Sequence, residues 1–141
     1  SYVRMTNTVI GDNVNSASRL EGLTRIYRVP VICSEYVKDD IEKNVFDHGI
    51  QFLEIDQVMV KGKTEGKKIY WPIIKQQMKK GADKQLAVFS SGLEAYYAGD
   101  WKKAYRHFAR CSFPLAEVFK ERTKNSKPPR NWNGIWEMKT K

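Results

Sequence analysis

A change of pattern between residues 8 and 27 constrains this chain more than any other feature of its sequence. The β-branched run Thr8-Val9-Ile10 ends at Gly11, and the carboxylate of Asp12 can then accept hydrogen bonds from the free N–H groups of a new helix. Apolar residues follow at helical spacing and form one stripe, Ala17, Leu20, Leu23 and Tyr27. The pattern predicts a strand over residues 3–10, a tight turn and a helix over residues 12–27.

Two polar residues lie along the edge of that stripe. Asn15 and Arg19 are four positions apart, so they project side by side from a helix. A neutral amide can fix a hydroxyl group by hydrogen bonds, and a guanidinium can stabilise charge on a phosphate. Periodicity by itself leaves two interpretations open, a solvated polar edge and a site that binds a phosphorylated ligand.

Three phrases of the sequence resemble class III adenylyl and guanylyl cyclases. They are Gly-Asp-Asn-Val-Asn-Ser-Ala-Ser-Arg-Leu-Glu at 11–21, Pro-Val-Ile-Cys-Ser-Glu at 30–35 and Val-Lys-Gly-Lys-Thr-Glu-Gly at 60–66. The resemblance covers residues 3–73 and corresponds to the C-terminal half of such a catalytic domain. It implies an α+β fold, the C-terminal half of a ferredoxin-like cyclase domain, within a longer parent protein that forms a homodimer through this domain.

The resemblance also implies roles for four residues. Asn15 corresponds to the asparagine that orients the ribose, and Arg19 to the arginine that stabilises charge on the α-phosphate, so these two are the catalytic candidates. Lys61 corresponds to the lysine that binds the β- and γ-phosphates, and Thr8 to a residue that contacts the purine. A threonine at that position favours ATP, which the parent would convert to cyclic AMP and pyrophosphate.

The resemblance implies that the metal ligands of the enzyme belong to the other half of the domain. The family uses Mg²⁺ or Mn²⁺, and its two metal-binding carboxylates lie in the N-terminal half, which these 141 residues do not contain. No residue of this chain is therefore assigned as a metal ligand, and Asp39, Asp40 and Glu42 are interpreted as a solvated helix face. We expect the chain alone to be inactive.

Further elements are predicted between the first helix and residue 74. Ser34 can cap a helix whose buried stripe is Val37, Ile41 and Val45. Pro72 has no N–H group, so the strand that contains it is expected at the edge of the sheet. The predicted strands are Val29–Cys33, a hairpin within Ile50–Val60 that bends near Asp56, and Lys68–Ile74.

The apolar spacing becomes helical after a basic linker at residues 75–84. Two helices joined by a turn at Gly99-Asp100 are predicted, with the apolar faces Leu86, Phe89, Leu93, Tyr96 and Trp101, Ala104, Phe108, Cys111. Gly92, Gly99, Trp101, Ala104 and Phe108 are spaced as in a tetratricopeptide repeat, which this hairpin resembles. Because one repeat cannot bury its apolar face alone, a third helix over Leu115–Lys124 and the Trp132/Trp136 segment should cover it. The predicted units are a cyclase segment (1–74), the linker and an all-α tail (85–141).

The net charge of +9 lies entirely in the second half of the chain. Residues 1–74 contain ten Lys or Arg and ten Asp or Glu, whereas residues 75–141 contain the other fifteen and six. No nucleic-acid motif accompanies this charge, so no nucleic-acid partner is expected; a solvated face, a membrane surface and an acidic protein partner of the helical tail stay open. A non-catalytic interaction module acting through the tail is thus the alternative function.

Composition favours a cytoplasmic protein. No apolar run approaches the length of a membrane span, and no signal peptide is present. Cys33 and Cys111 have no metal-binding or disulfide-framework spacing, so both are expected to be buried free thiols in a reducing compartment.

Overall fold

The described part of the chain combines a four-stranded sheet with helices, in agreement with the predicted α+β class. The structure is a computed structural model, and it describes residues 22–60, 64–125 and 127–138. The strands are β1 (Cys33–Ser34), β2 (Ile50–Val60), β3 (Lys67–Ile74) and β4 (Trp136–Met138). The helices are α1 (22–27), α2 (Glu35–Asn44), α3 (Ala82–Tyr97), α4 (Trp101–Ala109) and α5 (Pro114–Thr123), with a 3-10 turn at Lys75–Gln77.

The strand order in the sheet is β1-β3-β2-β4. β2 pairs antiparallel with β3, and the C-terminal strand β4 pairs parallel with the last residues of β2. The hairpin predicted within Ile50–Val60 is wrong, because this segment is one continuous strand. The bend expected near Asp56 is instead a β-bulge: the register shifts between Glu54 and Asp56, and Ile55 has no partner in β3.

The edge position predicted for the strand containing Pro72 is also wrong. β3 lies between β1 and β2, so it is an interior strand. The proline is accommodated because β1 is only two residues long and pairs with Ile69 and Tyr70. Pro72 itself has a described strand partner on one side alone, Phe52 of β2, so its missing N–H group does not interrupt a ladder on the other side.

The region of α2 confirms one prediction and corrects two. Ser34 caps α2, since its Oγ accepts a hydrogen bond of 3.2 Å from the Val37 N–H. The strand predicted over Val29–Cys33 is reduced to Cys33–Ser34. The predicted buried stripe is wrong: no residue of α2 is buried, and Val45 is 48% exposed. α2 lies against β1 and β3 at the edge of the sheet, and this contact leaves Val37 and Ile41 half-buried.

The three C-terminal helices match the predicted apolar faces. Leu86, Phe89, Leu93 and Tyr96 of α3 are buried, as are Trp101, Ala104, Phe108 and Cys111 of α4 and its C-terminal end. Gly92 permits close packing of these helices, because a Cβ there would lie 2.8 Å from Cε1 of Phe108. The third helix, predicted over Leu115–Lys124, is α5. The likeness to a tetratricopeptide repeat stays a prediction.

The helical tail and the sheet share one apolar core. Buried residues of α1, β2, β3 and the three tail helices belong to a single cluster, which also includes Met138 of β4. The segment predicted as a linker at residues 75–84 is shorter than expected, because the 3-10 turn and the first residues of α3 occupy part of it. The tail therefore packs on the sheet instead of extending away from it.

Candidate functional site

The four residues assigned by resemblance lie outside the part of the chain that the structure describes. Thr8, Asn15 and Arg19 precede residue 22, and Lys61 falls in the gap at residues 61–63. Their mutual arrangement stays a prediction. The described residues next to them in the sequence are the end of the first predicted helix and the end of β2.

The end of the first predicted helix is fixed in the structure. Residues 22–27 are helical, and Leu23 and Tyr27 of the predicted apolar stripe are buried, whereas Arg25 is exposed. The helix terminates with Arg28 in the left-handed region (φ 57°) and a 3.2 Å hydrogen bond from the Val29 N–H to the Thr24 carbonyl. This bond is the Schellman arrangement that closes a helix, so α1 ends at a defined place before Pro30.

The end of β2, next to Lys61, contacts the C-terminal end of the chain. Val58, Met59 and Val60 pair in parallel with Trp136, Glu137 and Met138. On the far side of the β2–β3 connection, Gly66 lies under Ile135, since a Cβ on Gly66 would lie 2.8 Å from Cδ1 of Ile135. The described residues on both sides of the gap at 61–63 thus contact the tail, at β4 and at Ile135.

A buried polar cluster joins α1, the sheet and the tail. It consists of Tyr27 on α1, Asp56 on β2, Tyr96 on α3 and Arg122 on α5. The Asp56 carboxylate is fully buried and accepts hydrogen bonds from the Tyr27 hydroxyl (2.5 Å), Nη1 of Arg122 (2.7 Å) and the Gln57 N–H (2.8 Å). Arg122 also donates to the hydroxyl oxygens of Tyr96 (3.0 Å, from Nη1) and Tyr27 (3.1 Å, from Nη2).

Aromatic rings enclose the guanidinium of the buried polar cluster. Its central carbon lies 3.9 Å from the ring centroid of Trp136 and 4.7 Å from that of Phe119. The Arg122 side chain is only 7% exposed, so both the ion pair and the cation–π contacts are largely screened from water. β4, which carries Trp136, is therefore linked to the same cluster as α1.

Burial and charge act against each other on the ionisable groups of the cluster. Desolvation raises the pKa of the Asp56 carboxyl above its ordinary value, while Arg122 and the hydrogen bonds to Tyr27 and Gln57 limit that rise. Desolvation is the largest single effect on Arg122 and lowers its pKa, but the charge of Asp56, the neighbouring Tyr27 and Tyr96 and the hydrogen bond to Asp56 together outweigh it, so the pKa of Arg122 rises. Burial, followed by the Asp56 charge, raises the pKa of Tyr27, which keeps its hydroxyl protonated as a donor.

Sequence similarity relates the chain to one curated protein. No protein-family model matches the chain, and no solved structure matches it. Over 111 residues it is 30% identical to "Adenylate cyclase, terminal-differentiation specific" from Dictyostelium discoideum. The similarity supports a relationship with adenylate cyclases.

The extent of the match to this adenylate cyclase adds two facts. The matched region is 77% of this chain, which is more than residues 1–74 contain, so the similarity includes part of the helical tail. The same region is 5% of the cyclase, so this chain spans a small part of that protein. The cyclase-like segment and the tail are therefore matched together.

No local pattern of the sequence predicts the buried polar cluster. Asp56 is predicted as part of a bend, and Arg122 belongs to the basic residues of the tail. A weak signal is that Arg122 follows buried Phe119 by three positions and so shares its helix face. A base on an apolar helix face together with an acid in an apolar strand is typical of a buried ion pair.

Two general properties of the described residues also bear on function. Among residues 22–60, 64–125 and 127–138, no group of three or more His, Cys, Asp or Glu side chains is placed to hold a metal ion. Over the same ranges, none of the helices combines the length and the apolar character required to span a membrane. His48 accepts a hydrogen bond from the Ile50 N–H at Nδ1, which occupies that ring nitrogen.

Proposed function

We propose that this chain is the C-terminal part of the catalytic domain of an adenylate cyclase, which converts ATP to cyclic AMP and pyrophosphate. The observation that carries the proposal is the similarity to an adenylate cyclase over 77% of the chain. The three phrases of the sequence support the same class of enzyme, because they contain residue types suited to binding a nucleoside triphosphate.

In this proposal four residues of the chain contact the nucleotide. Asn15 orients the ribose, and Arg19 stabilises the charge that develops on the α-phosphate as the 3′-hydroxyl attacks it. Lys61 binds the β- and γ-phosphates as a compact positive charge, and Thr8 contacts the adenine. Two such domains pair head to tail, so each site is completed by the partner domain.

The metal requirement of the proposed reaction is met outside these residues. The described residues do not fit a metal site, so no step is assigned here to a bound ion. Mg²⁺ or Mn²⁺, when bound by carboxylates of the other half of the domain, would stabilise charge on the attacking and leaving oxygens. The 141 residues alone should therefore not form cyclic AMP.

The test compares two proteins under the same conditions, the 141-residue chain and the longer protein that contains a complete cyclase domain. Purified samples are supplied with ATP and Mg²⁺ or Mn²⁺, and cyclic AMP is quantified. We expect metal-dependent product from the longer protein and none from the chain. An inactive longer protein, with its fold verified by circular dichroism, would refute the enzymatic proposal, and product from the chain would refute the assignment of the metal ligands.

A second candidate function is binding of an acidic partner through the tail, and α4 favours it. Lys102, Lys103 and Arg106 of this helix and Arg110, which directly follows it, are all exposed, and none of them forms an ion pair with another described residue. Binding to poly-glutamate that weakens with salt, and that is lost in the Lys103→Glu/Arg106→Glu variant, would support this function. Equal binding by the wild type and the variant would argue against it.

A further inference from the structure

We propose that the helical tail is a positioning arm for the predicted catalytic helix and acts on it through the hydroxyl of Tyr27. The kinetic part of this inference rests on the proposed cyclase function, whereas the structural part does not. The helix predicted over residues 12–27 carries Asn15 and Arg19 near its start, and Tyr27 is the last helical residue of its described end. Where residues 12–27 form one helix, as the sequence predicts, whatever holds Tyr27 in place also limits the rotation and translation of that helix.

Tyr27 is held mainly by partners that are distant in sequence. Its hydroxyl donates to Asp56 of β2, 29 positions away, and accepts from Nη2 of Arg122, 95 positions away. Its ring lies 6.1 Å from that of Phe119 and 5.3 Å from the Arg122 guanidinium. Two of these three partners, Phe119 and Arg122, are residues of α5, so the tail directly contacts the residue that ends α1.

The buried polar cluster connects the tail and Tyr27 through one carboxylate. Asp56 is fully buried, and Arg122 is the cation that neutralises it. If α5 moved away, Asp56 would lose its counter-charge and Tyr27 would lose the hydrogen bond from Arg122 at the same time. Docking of the tail and fixing of Tyr27 are therefore coupled through the same carboxylate.

Among the described residues, the buried side chains of the tail form one core with the cyclase-like segment. They belong to the cluster that contains Leu23 and Tyr27 of α1 and Ile55 and Val58 of β2. Met138 of the final strand is buried in that cluster as well. The tail is thus built into the cyclase-like segment, and its contacts converge on the end of the predicted catalytic helix.

The decisive variant is Tyr27→Phe, which removes the hydroxyl but keeps the ring and leaves the Asp56–Arg122 pair in place. Tyr96→Phe is the matched control, because it makes the same chemical change and removes a bond to Arg122 that lies within the tail. Hydrogen exchange of the 141-residue chain is followed by mass spectrometry on peptides covering residues 22–29. We expect exchange there to be about fivefold or more faster in Tyr27→Phe and unchanged in Tyr96→Phe.

Two exchange results would overturn the inference. One is unchanged protection of residues 22–29 in Tyr27→Phe. The other is a loss of protection in α3 and α4 as large as that in residues 22–29, since this would indicate general destabilisation. Arg122→Lys provides a further comparison: a lysine keeps the charge but not the fork that reaches both Asp56 and Tyr27, so its effect on residues 22–29 should be intermediate between wild type and Arg122→Met.

The kinetic arm uses the longer protein with a complete cyclase domain. Tyr27→Phe should lower kcat for cyclic AMP formation by about threefold to tenfold while KM for ATP changes less than about twofold, because the helix carries groups that act on the transition state. An unchanged kcat, or a rise in KM that matches the fall in kcat, would overturn the inference. If the wild-type protein forms no cyclic nucleotide, the proposed function fails, and hydrogen exchange still decides the coupling.

Discussion

Arg122 donates a 2.7 Å hydrogen bond to the carboxylate of Asp56, a residue 66 positions earlier in the chain. The pair is almost completely buried and joins the tail helix α5 to the bulge in β2. A buried ion pair contributes less to net stability than its geometry suggests, because both charges lose their hydration. Removing only one partner is nevertheless costly, because the other charge stays buried without a counter-charge. This difference between losing one partner and losing both gives the first prediction.

Arg122→Met should lower the free energy of unfolding by about 3–5 kcal/mol, because it leaves the Asp56 carboxylate buried and unpaired. The double variant Asp56→Leu/Arg122→Met should recover a large part of this loss. Urea denaturation of the wild type, the two single variants and the double variant measures both effects. Lys124→Met is the control, since Lys124 forms an exposed pair with Glu121 and its loss should cost no more than about 1 kcal/mol. Additive effects of the two single variants, Asp56→Leu and Arg122→Met, would contradict the coupling.

Two glycine-to-alanine variants should change stability in opposite directions. At Gly92 a new Cβ would lie 2.8 Å from Cε1 of Phe108 and 3.1 Å from Cβ of His107, so Gly92→Ala should destabilise the chain by about 1–3 kcal/mol. At Gly22, which is helical, no atom of the described residues beyond its own helix backbone lies within 4 Å of a new Cβ, so Gly22→Ala should stabilise the chain by up to about 1 kcal/mol. Thermal unfolding of both variants tests the close packing of α3 on α4.

The two cysteine thiols should be unreactive in the folded chain. Burial raises the pKa of Cys33 to about 12, and it also raises the pKa of Cys111. At pH 8 the thiolate fraction of Cys33 is then about 10⁻⁴, against roughly a quarter for an unfolded cysteine. Since the thiolate is the nucleophile, reaction with a disulfide reagent should be about a thousandfold slower than after unfolding.

The same pKa shift of Cys33 has a consequence for stability. The pKa of the Cys33 thiol is higher in the folded chain than in the unfolded chain, where it is about 8.5. The stabilisation that the protonated thiol provides is therefore fully present below about pH 8.5 and is lost as the pH rises toward 12. Stability should therefore fall above about pH 9 less steeply in Cys33→Ala than in the wild type. Rapid modification of Cys33 in the native protein at pH 8 would show that the thiol is not buried as described.

Three substitutions test the nucleotide-contact residues in the complete cyclase domain. Asn15→Ala and Arg19→Ala should lower kcat by roughly 10²-fold or more with little change in KM, because both are proposed to act on the transition state. Lys61→Ala should mainly raise KM, since its proposed role is to bind the β- and γ-phosphates. A normal kcat in Arg19→Ala would contradict the assignment of that residue.

Thr8 should contribute to a preference for ATP over GTP. A site built to hydrogen-bond one purine edge leaves polar groups unpaired with the other purine, which costs about 1–3 kcal/mol per group. One such mismatch corresponds to about ten- to a hundredfold in kcat/KM. The measurement is kcat/KM for both nucleotides in the wild type and in Thr8→Cys. Equal use of ATP and GTP by the wild type, or no change on substitution, would exclude Thr8 from the purine site.

The sequence by itself determined the features that depend on neighbouring residues. Ser34 caps α2, and Asp100 caps α4 by accepting a hydrogen bond from the Lys103 N–H. The apolar faces of α3 and α4 are buried as their spacing predicts. Caps and apolar stripes are set by interactions within a few positions, so the pattern of the sequence contains them. The phrases at residues 11–21, 30–35 and 60–66 likewise indicate a relationship with cyclases, which the 30% identity to an adenylate cyclase supports.

Tertiary structure alone decided how distant segments meet. The bulge at Ile55, the interior position of β3 despite Pro72, and the pairing of β4 with β2 all depend on which strand lies beside which. The buried polar cluster depends on the same arrangement, because Tyr27, Asp56 and Arg122 come from three separate elements. Their attraction acts only after the chain has brought them within a few ångströms, and no local pattern of residues encodes that distance.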